Sequence, residues 1–152
     1  MERKLILAVF VCLAVSGIVA SVGSANPLEG TWQGTYKCGQ DRFNLHGAPF
    51  EWNLPFSIQA GKITATREYI SLTSQLAVAE FHGLIHADGL VEIGVTGGVV
   101  SAFHPAFHGT YTGRADGDRI DFQGPMLSKR NIMVRQCELH LKPVSLGLAH
   151  QQ

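Results

Sequence analysis

The sequence predicts an all-β protein, built as a single antiparallel, eight-stranded up-and-down barrel. Segments that alternate apolar and polar residues recur along the chain, glycine-containing turns separate them, and no segment has the period of an amphipathic helix. Two cysteines, Cys38 and Cys137, lie in the first and last of these segments. A disulfide that joins the first and last strands would support closure of the sheet into a barrel, which leaves no free edges. A flattened sandwich of the same strands is the main alternative.

Residues 1–25 have the composition of an export signal. Arg3 and Lys4 precede an uninterrupted apolar run over 5–13, and small residues gather further on. We expect cleavage before Asn26 and a secreted or periplasmic protein without a stable membrane span. A permanent membrane helix is the alternative, since the whole apolar stretch approaches the length needed to cross a bilayer.

The exported chain is close to neutral. Without the first 25 residues it keeps 10 Lys plus Arg against 11 Asp plus Glu, so it has no positive excess that would concentrate nucleic acid or acidic lipid. About 127 residues remain, which is enough for one domain with its own core. We assign residues 26–144 to the barrel and 145–152 to a C-terminal tail.

The first and last strands are predicted over 30–38 and 131–142. In both, the cysteine lies on the apolar side of the alternation, as a bond between neighbouring strands requires. An exported protein favours a disulfide between Cys38 and Cys137. Free thiols or a redox pair are the alternative, but a catalytic dithiol usually lies in a short C-x-x-C motif.

The second strand has the clearest alternation, over 50–59. Pro55 falls on its polar side and cannot donate a hydrogen bond, which predicts a strand edge or a bulge at that point. A turn at Ala60-Gly61 then leads into a threonine-rich third strand over 62–69.

A weak repeat with a spacing of 26 residues supplies the middle strands. Phe81-His82-Gly83 precedes a turn at Ala87-Asp88-Gly89, and Phe107-His108-Gly109 precedes one at Ala115-Asp116-Gly117. We predict a three-residue loop at the first turn and a two-residue loop, Asp116-Gly117, at the second. The strands are expected over 75–86, 90–96, 99–114 and 118–124.

The start of the first strand resembles that of calycin-like barrels. Gly30-Thr31-Trp32 matches the G-x-W with which lipocalins, avidins and bacterial metalloprotease inhibitors begin. Lipocalins stack this tryptophan on an arginine close to the last strand, and Arg135 is the corresponding candidate. The expected pairing of the first and last strands does not bring Trp32 and Arg135 together. If the two cysteines face each other, paired residues add up to 175, and Trp32 lies opposite Pro143.

A second resemblance covers Tyr36-Lys37-Cys38-Gly39 with Phe43 and Leu45, which is similar to the opening of periplasmic lysozyme inhibitors. Those barrels also join an early and a late cysteine. Their inhibitory loop carries a Ser-Gly-rich motif followed by an aromatic residue, and this sequence has nothing comparable. The segment 39–49, too long for a tight hairpin, is the predicted interaction loop.

The seven histidines are the best candidates for chemistry. His82 and His86, like His104 and His108, are four residues apart, which on a strand means roughly 13 Å, whereas zinc ligands lie about 2 Å from the ion. Neither pair can chelate alone. A site across strands that includes Glu92 is the alternative to solvated histidines. We predict no metal or cofactor.

Motifs of the common enzyme classes are absent from the sequence. There is no G-x-S-x-G, no H-E-x-x-H, no phosphate-binding loop and no G-x-G-x-x-G between a strand and a helix. A Ser-His-Asp arrangement or a carboxylate pair formed in space stays open, because such sites are recognised by geometry. We therefore predict no catalytic residue.

Seven aromatic side chains are expected to point into the barrel, where they either pack as core or surround one apolar ligand. They are Trp32, Tyr36, Trp52, Phe56, Phe107, Tyr111 and Phe122. The sequence favours a non-catalytic, protein-interacting or inhibitor-like binding protein of the cell envelope. A carrier of a small apolar ligand is the second alternative and an enzyme the third. A filled interior with an exposed apolar loop would favour the first function, and a large cavity open at one end the second.

Overall fold

The computed structural model describes residues 28–43, 47–102 and 105–144. Eight antiparallel strands form a closed barrel, each paired with its neighbours in sequence and the first with the last. This confirms the predicted up-and-down barrel against the sandwich. The predicted signal peptide, 1–25, and tail, 145–152, lie outside the described residues. The strands are β1 Gly30–Cys38, β2 Phe50–Gln59, β3 Lys62–Ile70, β4 Leu76–Ile85, β5 Leu90–Val99, β6 Phe107–Asp116, β7 Arg119–Ser128 and β8 Met133–Pro143.

A disulfide between Cys38 and Cys137 joins β1 to β8, with the two Cα atoms 4.1 Å apart. The two cysteines face each other in the ladder, and the predicted register is confirmed, because Trp32 pairs with Pro143. The bond closes a loop of 99 residues. In the chain-entropy account, a loop of this size stabilises the fold by about 4 to 5 kcal/mol through the unfolded state.

The two ends of the barrel differ in their connections. At the turn end, Ala60-Gly61, residues 86–89 and Gly117-Asp118 join consecutive strands. At the opposite end, which we call the loop end, longer segments connect the strands. They cover residues 39–49, 71–75, 100–106 and 129–132. Among the described residues, no helix is long and apolar enough to cross a bilayer.

The predicted strand 99–114 is wrong at its start. β5 continues to Val99, the chain leaves the sheet, and β6 begins only at Phe107. There Phe107 pairs with Gly97, and the phenyl ring occupies the space that a Cβ at Gly97 would need. The segment 100–106 does not keep a strict alternation and contains Pro105, which was the available signal of this break.

The second repeat turn also differs from the prediction. Asp116 pairs with Arg119, so Gly117-Asp118 forms the two-residue loop and the register moves by two residues. The inward face is unchanged because side chains alternate with a period of two. The other turns agree with the sequence: Gly89 has a φ of 79°, and Ala60 and Gly61 have φ of 49° and 73°. Positive φ at both central positions characterises the type I′ hairpin turn.

β2 and β3 are paired only beside their turn, from Gln59–Lys62 to Ser57–Thr64. In a two-residue hairpin the closing pair exchanges both hydrogen bonds, so odd-numbered residues of β2 direct their N–H toward β3. Pro55 is the next odd-numbered residue and has no N–H. The ladder ends there, which agrees with the predicted edge. The facing but unpaired stretches, Phe50–Phe56 and Ala65–Ile70, are called the seam below.

Candidate functional site

Two tyrosines meet in the middle of the barrel. The hydroxyl oxygens of Tyr36 and Tyr111 are 2.8 Å apart, and either can donate. The ring centroid of Phe81 lies 5.2 Å from that of Tyr36, in an edge-on arrangement. Burial raises the pKa of Tyr111 to about 12, against a smaller lowering by its hydrogen bond to Tyr36. Burial raises the pKa of Tyr36 as well, so both phenols are neutral at pH 7.

Five of the seven predicted inward-facing aromatic residues are packed as core. A side chain that borders a water-sized cavity keeps some accessible area, but each of these five is at most 2% exposed. The barrel is therefore filled around them. Trp52 and Phe107, the other two, are only partly buried and lie toward the loop end. The five are Trp32, Tyr36, Phe56, Tyr111 and Phe122.

Exposed apolar side chains concentrate at the loop end. Among the described residues, nine large hydrophobic side chains are exposed, and seven of them lie in the loop-end segments or the strand residues beside them. Leu72 is 74% exposed and Ile70 68%. Clustered exposure of this kind marks interaction surfaces, whereas single exposed hydrophobics do not. We call this set the apolar rim: Phe43, Ile70, Leu72, Leu76, Val100, Ile132 and Met133.

The loop end is also basic. The described residues of its connecting segments carry three exposed cationic side chains, Arg42, Lys129 and Arg130. The one carboxylate in the described part of these segments, Asp41, is buried and accepts a hydrogen bond of 2.7 Å from the N–H of Phe43. The near-zero net charge of the chain thus conceals a local excess of positive charge beside the apolar rim.

Arg135 holds the interaction loop on the barrel. Its side chain is buried and donates to the carbonyl oxygens of Gly39 at 2.7 Å, Gly47 at 2.9 Å and Ala48 at 3.0 Å. The guanidinium carbon also lies 5.3 Å from the ring centroid of Phe50. The sequence missed this role and offered Arg135 only as a partner for a tryptophan. Its position on the inward face of β8 was the available signal.

Trp32 does not meet Arg135, in agreement with the register. It lies at the turn end, where its indole N–H donates to the carbonyl oxygen of Leu28 at 2.9 Å. This contact covers the core at the end where the described chain enters the first strand.

The seam carries a second inward-facing arginine, which the sequence analysis did not single out. The guanidinium carbon of Arg67 lies 5.5 Å from the ring centroid of Trp52, and Nη1 donates to the carbonyl oxygen of Asn53 at 3.4 Å. The rings of Trp52 and Tyr69 are 5.1 Å apart. Alternation along β3 places Arg67 on the face of Ile63, so its position could have been read from the sequence.

The histidines of the described chain lie on the outer wall. His86 Nε2 is 3.4 Å from Glu92 Oε2, and His140 Nδ1 is 2.7 Å from Asp121 Oδ1. Within the described ranges, no three His, Cys, Asp or Glu side chains come together in a group that could hold a metal. Three further histidines, at positions 46, 104 and 150, lie outside the described residues.

A depression of about 420 Å³ also lies on the outer wall, across β3 to β6. It surrounds Gly94, where a side chain is missing from the outward face, and is bordered by His82, Leu84 and Thr110. This volume is separate from the packed interior of the barrel.

The structure defines a class: a small, disulfide-closed, eight-stranded antiparallel barrel with a packed centre and an apolar, basic loop end. No family model matches the sequence, and no curated protein matches it either. Among solved structures, the chain is similar to the structure of EF1p2_mFAP2b bound to DFHBI. The TM-score is 0.50 at 10% sequence identity, over 78% of this chain and 94% of the other. At that identity the likeness shows the barrel fold alone.

Proposed function

We propose that this protein is an exported, non-catalytic binding protein that engages another envelope protein through the loop end of its barrel. The main support is that seven of the nine exposed large hydrophobic side chains among the described residues surround this one end. The packed centre supports a surface function. The Cys38–Cys137 disulfide and the signal-like residues 1–25 support an oxidising, exported location.

The chemistry of the rim favours a partner with an apolar patch bordered by carboxylates. Arg42, Lys129 and Arg130 flank the exposed apolar residues, and opposite charges at the edge of an interface steer association and set specificity. The anchoring of the interaction loop by Arg135 lowers the ordering cost of binding. A loop held at Gly39, Gly47 and Ala48 suits an inhibitor-like mode, in which it enters a groove of its partner.

A photo-crosslinking experiment in the native envelope tests this proposal. A benzophenone amino acid at Leu72 is expected to give one defined protein adduct, because this residue lies on the rim. The same group at Leu84, which is also exposed but lies on the outer wall, is the matched control. Equal adducts from both positions, or none from Leu72, would contradict the proposal.

The same surface predicts a measurable loss of affinity. For the purified pair, Leu72→Ser combined with Ile132→Ser should weaken binding by about ten- to a hundredfold, if these side chains act as interface anchors. Leu84→Ser should leave the affinity unchanged. Equal melting temperatures of the variants would show that the fold is intact.

A small-molecule carrier is the second candidate. It is supported by the partly buried Trp52 and Phe107 near the loop end, and by the barrel fold shared with the structure bound to DFHBI. Native mass spectrometry of the protein purified from its own envelope separates the two functions. A retained small molecule would favour the carrier, and a bound protein the interaction protein.

A further inference from the structure

The seam between β2 and β3 is a discontinuity in the barrel wall. Three residue pairs join the two strands beside their turn, after which the ladder stops. The stretches Phe50–Phe56 and Ala65–Ile70 then face each other without cross-strand pairing. Backbone N–H and C=O groups on these two edges are therefore not used by a β2–β3 ladder and can bind other partners.

Arg67 lies in this seam with unused hydrogen-bonding capacity. Its Nε is buried and has no hydrogen-bond partner in the described structure. No carboxylate of the described residues forms an ion pair with it, and its one hydrogen bond is the 3.4 Å contact with Asn53. A buried donor without a partner is costly. A ligand would reach the guanidinium through Nη1, whose contact with Asn53 is exposed.

Arg67 and Arg135 have similar positions in the barrel but differ in their hydrogen-bond partners. Both arginines point inward toward the loop end, and both lie near an aromatic ring, at 5.5 Å for Arg67 and 5.3 Å for Arg135. Arg135 is satisfied by carbonyl oxygens of the interaction loop. Within the described residues, no loop supplies such acceptors to Arg67, which is partly buried beside Trp52.

Aromatic walls flank the free side of Arg67. Trp52 and Tyr69 lie with ring centroids 5.1 Å apart and an interplanar angle of 38°, and both are only partly buried. Ile70, next to Tyr69, belongs to the exposed rim. Together they offer one cation beside an apolar, aromatic surface that can be reached from the loop end.

We infer that the seam is a binding site for a small organic anion with an apolar body. The carboxylate or sulfonate of the ligand would accept hydrogen bonds from the Arg67 guanidinium, and its apolar part would lie along Trp52 and Tyr69. Charge-assisted bonds to a guanidinium are about twice as strong as neutral ones and suit planar oxyanions. This inference does not depend on the protein partner proposed above, because the site is formed by the barrel wall alone.

Two matched dyes test the site in the purified, full-length exported protein. 8-Anilinonaphthalene-1-sulfonate carries an anionic group, and N-phenyl-1-naphthylamine is its neutral analogue. We expect the parent protein to bind the sulfonate more tightly, by about tenfold or more. Arg67→Met should remove that preference, whereas Arg130→Met, which deletes an exposed rim cation, should retain it. Trp52→Ala should weaken both dyes because it removes the shared aromatic wall.

Melting temperatures and circular dichroism establish that each variant is folded. If Arg67→Met does not fold, Arg67→Lys and the salt dependence of the parent take its place, since binding through a cation weakens with ionic strength. Equal affinities of the parent for both dyes, or an Arg130→Met loss as large as that of Arg67→Met, would overturn the inference. Neither result bears on the crosslinking test of the protein-binding proposal.

Discussion

At the scale of single residues, the loop end is organised by a few inward-facing polar groups within an apolar barrel. Arg135 ties the interaction loop to the wall, Arg67 spans the seam, and the paired hydroxyls of Tyr36 and Tyr111 satisfy each other in the core. Inward direction followed from alternation in each case. The hydrogen-bond partners of these groups did not follow from the sequence, because they depend on which loop crosses the loop end and on where neighbouring strands separate.

The buried tyrosines predict a loss of stability in alkali. An unfolded tyrosine ionises near pH 10, whereas the pKa of Tyr111 is raised to about 12. The stabilisation is fully present below pH 10 and is lost as the pH rises through the folded pKa, by on the order of 3 kcal/mol for this residue. Denaturant unfolding between pH 8 and about 12 measures it. Tyr111→Phe should remove this share of the loss and leave the share that comes from Tyr36, and an unchanged slope would contradict this account.

At the scale of strands, proline positions explain both gaps in the barrel wall. Pro55 would pair across to Thr66, where the β2–β3 ladder is lost. Pro125 would pair with Thr110, where the β6–β7 ladder is interrupted before it resumes at His108–Leu127. Both prolines occupy positions whose N–H would face the partner strand, so each removes a ladder bond.

Pro55→Thr is therefore expected to extend the β2–β3 ladder. Thr restores the missing N–H at an exposed position of β2, and one hydrogen bond contributes about 1 kcal/mol. Hydrogen exchange should show new amide protection across the seam, and affinity for the anionic dye should fall. Pro125→Thr is the control, with protection gained only between β6 and β7. Unchanged exchange in Pro55→Thr would mean that side chains hold the seam open.

Most of the strand pattern could be predicted because a barrel with a packed inside and a wet outside imposes strict alternation. The β1–β8 register followed from the two cysteines, and Pro55 marked the edge that the structure contains. The Gly117-Asp118 turn could not be read, since both candidate registers keep the same inward face. The break at 100–106 was marked by Pro105 and was missed. The rim was likewise hidden, because its seven members come from four separate connections.

At the scale of the whole molecule, closure rests on two independent links between β1 and β8. Seven residue pairs join these strands from Trp32–Pro143 to Cys38–Cys137, and the disulfide lies at the last pair. The ladder alone can therefore complete the barrel. The disulfide acts chiefly on the unfolded chain, which it keeps from expanding.

Replacing both cysteines tests whether the ladder alone closes the barrel while the disulfide acts on the unfolded chain. The variant Cys38→Ala with Cys137→Ala should retain native circular dichroism and dye binding, but lose about 4 to 5 kcal/mol of unfolding free energy. Denaturant titration with and without reductant measures the loss, and reductant should have no effect on the variant. A change in the folded-state spectrum would show instead that the covalent bond is needed to bring the two strands together.

The contact between Trp32 and Leu28 lies where the described chain enters the barrel, and this position affects how the protein is oriented when it is attached to a support. The described chain enters at Leu28 and leaves at Val144, whose N–H donates to the carbonyl oxygen of Thr31 at 3.0 Å. Entry and exit thus share the turn end. A surface, resin or fusion domain attached through either flank would point the apolar rim and the seam outward, so immobilised protein should present both in one orientation.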